Sequence, residues 1–190
     1  MVDYTKIFGL LLGSIASFFV FVFYLNRFFN REKIPSLLRS LSFFLFFLAS
    51  SVGLLIGSSN TFSLPLATVG MVVLYSSLVL DEHSRLRYSL PIPFLALFFI
   101  DSHKLLLVES LLAGIALMEL SYNNEHKRLI PFVVVLTLVV IAEYFTVYKD
   151  LLKVSEIGIN FLYIIASLIL LLWILFYLIR ALVRLFRNQD

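Results

Sequence analysis

The sequence predicts an all-α polytopic membrane bundle of seven helices, N-terminus outside and C-terminus inside. Three observations predict it. Hydrophobic residues make up 61% of the 190-residue chain and charged residues only 14%, against roughly half and a quarter in soluble domains. The apolar residues gather into runs close to the ~20 needed to cross a bilayer as a helix. The basic residues are distributed unequally between the connections.

Five runs are long enough to span outright: 7–29, 37–57, 62–80, 129–148 and 157–180. The first follows "MVDYTK", which has an acid before the apolar run and no small-residue cleavage site, so it reads as a retained helix rather than a signal peptide. Between 80 and 129 lie two shorter segments, 88–101 and 104–120, separated by "DSHK". The apolar core of the former, 90–100, would rise only about 17 Å as a helix. It spans if the helix reaches back through Tyr88. The competing reading is a re-entrant hairpin, whose backbone protein must cover.

With seven crossings, one set of connections (26–40, 81–89, 119–130 and the chain after the last span) carries 11 Lys and Arg residues, and the opposite set carries 4, all lysine. The positive-inside tendency places the first set at the cytoplasm. The charge pattern leaves the depth of 88–120 open, because a re-entrant hairpin keeps the same loops on the same sides.

Two cytoplasmic connections share Glu-His-x-Arg-Leu, at Glu82–Leu86 and Glu125–Leu129, and "NREKIP" at 30–35 is a fainter third copy. Each is followed by proline (Pro35, Pro91 with Pro93, Pro131), which suits a helix's first turn. The pattern suggests helical hairpins in series. Each copy has one histidine, whereas zinc sites usually need three or four converging ligands. No metal and no cofactor is expected.

The chain has no cysteine, no H-E-x-x-H, no G-x-S-x-G and no G-x-G-x-x-G, so a non-enzymatic protein is expected. Retinal proteins share seven spans and this orientation, but the last span here lacks the lysine that would hold retinal.

Small residues recur every four positions at Gly9, Gly13 and Ser17, and at Gly53 and Gly57. This spacing lets helix backbones approach closely in lipid. Arg180, Arg184 and Arg187 recur at helical spacing in a basic segment, 180–190, and are expected to snorkel to anionic headgroups. Ionisable residues inside spans are functional candidates. Glu109 and Glu143 should lie at similar depth in the outer third of adjacent antiparallel helices, with Asn160 nearby. Two close carboxylates in low dielectric share a proton or hold a cation.

Two function classes follow. The first is a non-enzymatic sensor-like module or accessory subunit in the cell membrane, working through other membrane subunits or cytoplasmic partners and not through nucleic acid. The second is a small transporter or channel for a cation, proton or small solute, using the outer glutamates. A polar path through the bundle favours the second.

Overall fold

A computed structural model describes residues 4–56, 60–81, 84–96, 102–122 and 129–187. Among them the chain is entirely helical: α1 Tyr4–Arg31, α2 Ile34–Ile56, α3 Asn60–Val79, α4 Pro91–Ala96, α5 Ser102–Tyr122, α6 Ile130–Val147, α7 Lys149–Leu152 and α8 Glu156–Arg187. A 3-10 turn, Arg87–Ser89, precedes α4. Prolines open helices where the sequence suggested: Pro35 in the first turn of α2, Pro91 at the start of α4 and Pro131 at the start of α6. Glu32 terminates α1 with φ 50, the left-handed conformation common just past a helix end, so two residues suffice to turn the chain into α2.

Six helices are long and apolar enough to cross a membrane. The sequence reading expected seven. The missing one is 88–101, whose described part is the 3-10 turn and the six-residue α4. Six helical residues rise about 9 Å, far short of a bilayer. Pro91 and Pro93 cluster at its start, and residues 97–101 lie outside the described residues.

The six long helices form a closed ring in the order α1, α2, α3, α5, α6, α8, with α8 packing back on α1. Contacts along the seams fix the directions. α1 and α2 are antiparallel, with Ser14 against Ser51 and Ser40 Oγ donating to the Phe21 carbonyl. α6 and α8 are also antiparallel, joining Glu143 to Tyr163 and Phe132 to Trp173. α1 and α8 run parallel, pairing Thr5 with Asn160 at one end and Phe23 with Trp173 at the other. α3 and α5 also run parallel. Just after α3, the Ser84 hydroxyl and the Arg85 amide donate to Glu119 near the end of α5, at 3.2 and 3.0 Å. Ser102, where α5 begins, therefore lies at the opposite end of the bundle from Leu86.

The core is graded along the axis. Near the start of α1, small residues set the spacing: a side chain on Gly9 would meet Ile164, one on Gly13 would meet Ser50 and Ser167, and one on Gly53 would meet Leu10. Ser17 is buried nearby. Gly57 lies outside the described residues. Towards the other end, Tyr24, Phe43, Phe132, Trp173 and Phe23 pack ring against ring, with Phe132 and Trp173 at 4.6 Å. Several phenylalanines of α1 point outward instead, with Phe18 and Phe19 each 43% exposed, as a lipid-facing surface requires.

Candidate functional site: a central cavity

The ring encloses a cavity of about 550 Å³, within the size range of small-molecule sites. All six long helices line it. Along α1 its lining runs from Lys6 to Tyr24, eighteen residue steps, or about 27 Å of helix.

The end near Lys6 is polar. Glu143, buried on α6, accepts a 2.5 Å hydrogen bond from the Tyr163 hydroxyl of α8. Asn160, one turn before Tyr163, donates to the Thr5 hydroxyl at 3.4 Å. Glu143, Tyr163 and Asn160 all line the cavity. Lys149 and Glu156 form an ion pair at its rim, bridging the short connection between α6 and α8. His103, in the first turn of α5, lines the same end, and its Nδ1 is buried without a hydrogen-bond partner among the described residues. The middle is mostly apolar, walled by Phe46, Met71, Leu106, Val139 and Leu170, with the serines Ser17, Ser50 and Ser167 interrupting it.

The far end is lined by a charge. Arg39 is 5% exposed, and its Nη2 donates to Asp81 Oδ2 at 2.8 Å. Its guanidinium lies 5.8 Å from the Tyr24 ring centre, a cation–π distance. Its Nε has no partner among the described residues. The sequence reading counted Arg39 among the loop charges. The structure corrects that, because α2 begins at Ile34 and carries Arg39 into the bundle on its second turn.

The three residues expected to share a polar cavity are not all brought together. Glu143 and Asn160 line it; Glu109 does not. Glu109 is fully buried, and neither carboxylate oxygen has a hydrogen-bond partner among the described residues. Leu106 and Leu117 are the α5 residues that meet the middle and far end of the cavity. At 100° per residue, Glu109 is turned about 60° from Leu106 around the helix axis. Glu119 lies on the same flank, where it binds Ser84 and Arg85.

Arg180 is exposed on α8, and the side chains of Arg184 and Arg187 lie outside the described residues. So do Glu82, His83, Glu125 and His126, which leaves the two Glu-His-x-Arg-Leu copies mostly undescribed. Among the described residues no group of three His, Cys, Asp or Glu side chains is placed to hold a metal.

Sequence reasoning missed the pairing of Arg39 with Asp81 and the position of His103. Arg39 had a readable signal: it sits four residues beyond Pro35, the helix-opening residue, and is followed by a long apolar run. No family model, curated protein or solved structure matches the chain.

Proposed function

We propose that this chain is a non-enzymatic, seven-crossing protein of the cell membrane, N-terminus outward, that binds a small solute in its central cavity and passes it between the two faces. The carrying observation is the cavity itself: a space walled by every long helix, polar at one end, with a buried ion pair at the other. A ring of helices packed only for stability has no reason to leave such a space, since unfilled volume costs packing energy.

The seven-crossing reading is supported by the parallel pairing of α3 and α5, which requires the intervening chain to travel back along the bundle. The sixteen steps from Leu86 to Ser102 would cover about 24 Å as a helix, the distance that α5 itself travels from His103 to Glu119. The outward N-terminus is supported by the charge bias, which survives the removal of Arg39 as ten basic residues against four. In this orientation Glu143, Asn160 and His103 face the outer mouth, and Arg39 lines the inner end.

A sensor-like or accessory role is favoured by a different feature. α8 is 32 residues long, about 48 Å, and outruns the hydrocarbon. Its last turns, with Arg180 and Val183 exposed, offer anionic headgroups or a cytoplasmic partner a surface.

The native lack of cysteine makes the transport reading testable. Ser50→Cys and Ser167→Cys place thiols in the cavity wall, whereas Ser77→Cys and Ser110→Cys are buried outside it. A small, charged thiol reagent should modify the first pair at least about tenfold faster. Equal rates for all four would refute a solute-accessible cavity.

A further inference from the structure

We propose that the inner end of the cavity binds the anionic head of a single-chain amphiphile, with Arg39 as the head-group ligand and the mostly apolar middle holding the alkyl chain. The inference rests on the cavity being a solute site and names what that solute is.

Three observations carry it. The first is the unfinished coordination of Arg39. A guanidinium offers five N–H donors in a planar fork suited to carboxylate or phosphate. Asp81 takes one through Nη2 and the Tyr24 hydroxyl also interacts with the guanidinium, while Nε is buried without a partner among the described residues. A buried, unused charged donor is costly unless something occupies it. Arg39 also lines the cavity, so a ligand head there meets the guanidinium, and a small shift of the side chain would bring the buried Nε edge to it.

The second is the local charge. Arg27 lies within electrostatic reach of Arg39, Asp81 and Tyr24. Among the described residues, these two guanidiniums and one carboxylate leave an excess positive charge, so the fitting partner is an anion. The opposite end carries the buried Glu143, and the two lysines that line it among the described residues, Lys6 and Lys149, are both engaged, Lys149 with Glu156. The ligand's orientation follows: head inward, tail outward.

The third is the shape. Between Arg39 and the serines of the middle third, α2 presents Phe43, Phe46 and Ala49 to the cavity over about 16 Å of helix. Leu170 and Ala166 of α8 also line it. An apolar wall of this length next to Arg39 suits a hydrocarbon chain.

The test uses the full-length protein in phosphatidylcholine nanodiscs. Hexadecanoic acid bearing a mid-chain diazirine is photolysed at neutral pH, and label is mapped by peptide mass spectrometry. The matching diazirine alcohol serves as the uncharged control. Labelling at cavity positions such as Ala166 and Leu170 is normalised to lipid-facing Phe18 and Leu172, which corrects for partition into the bilayer. The acid should label the cavity about tenfold more than the alcohol, the discrimination expected of one charge-assisted contact. Excess unlabelled hexadecanoate or hexadecyl phosphate should compete, and the better competitor identifies the head group. The paired change Arg39→Gln with Asp81→Asn, which leaves neither charge alone, should abolish the preference, whereas Arg39→Lys should keep part of it. Equal cavity labelling by acid and alcohol in the unaltered protein would overturn the proposal without requiring any variant to fold. So would a preference that persists in the paired variant. If Ser50→Cys and Ser167→Cys remain reactive in either case, the cavity reading stands and only the anion site falls.

Discussion

Replacing Gly70 with alanine should destabilise the bundle, although alanine is the better helix former. A Cβ on Gly70 would lie 2.7 Å from Phe46 Cε1 and 2.9 Å from Cδ1. Carbon atoms in good contact sit about 3.5–4.0 Å apart, so the overlap approaches 1 Å. The ring borders the cavity and can retreat only by swinging into it, away from its packed neighbours. Phe46 packs edge-on against Phe43 at 5.6 Å, and Phe43 is itself packed against Tyr24 and Phe132. The backbones are tied at the same level, because Ser42 Oγ donates to the Gly70 carbonyl at 2.9 Å. Overpacking of this kind costs about 1–3 kcal/mol, and the gain in helix propensity returns about 0.8–1.0 kcal/mol. The net loss should be near 1 kcal/mol. The sharper quantity is the coupling with Phe46→Leu, which removes the obstructing ring edge. The two changes together should be about 1–3 kcal/mol more stable than the sum of their separate effects. Unfolding in mixed micelles, followed by fluorescence of the single tryptophan, Trp173, would measure all four forms. A coupling below about 0.5 kcal/mol, the scatter of independent sites, would refute the packing argument. So would Gly70→Ala stabilising by its full propensity gain.

Other measurements follow from the same geometry. Lys104→Cys and Ser155→Cys should react with an impermeant maleimide in intact cells, and Arg85→Cys only after lysis; reaction of Lys104→Cys and Arg85→Cys from the same side would refute the return crossing. Glu143→Gln should keep stability within about 1 kcal/mol, because the amide oxygen still accepts from Tyr163, whereas Glu143→Leu strands that hydroxyl and should cost about 1–3 kcal/mol. Equal losses in the two variants would show that the hydrogen bond is not what holds the pair. Glu109→Met should raise the melting temperature, since it removes a fully buried carboxyl group without a described partner; a fall would point to a contact that the described residues do not supply.

What could be read in advance divides by physical cause. The helices were legible because lipid demands long apolar runs, and the starts of α2, α4 and α6 because proline marks them. The parallel pairing of α3 and α5 was not legible. It depends on Glu119 reaching Ser84 and Arg85, two side-chain contacts that no local pattern announces. The small residues Gly9, Gly13 and Gly53 declared close approaches through their spacing, but Gly70, the tightest of the described glycines, stands alone in its helix and gave no such signal. Depth could be counted from the ends of the spans, which is why Glu109 and Glu143 were expected near one another. Azimuth could not. A helix apolar on nearly all sides, such as α5, carries no stripe to say which face turns inward, and a rotation of about 60° separates Glu109 from the cavity-facing Leu106.

The directions of the helices divide the ring into two successive triplets, α1–α2–α3 and α5–α6–α8, each running down, up, down. Within each triplet the turns are short; between them, one seam joins α3 to α5 and the other joins α8 to α1, and both seams are parallel. Each seam has a polar clasp, and the clasps sit at opposite ends of the barrel. Glu119 holds Ser84 and Arg85 where α3 and α5 finish, and Asn160 holds Thr5 where α1 and α8 begin. One triplet rocking against the other would therefore strain one clasp at a time. If the cavity carries a solute as proposed, such rocking would widen it at alternate ends, the way parallel-repeat carriers move around a shared site.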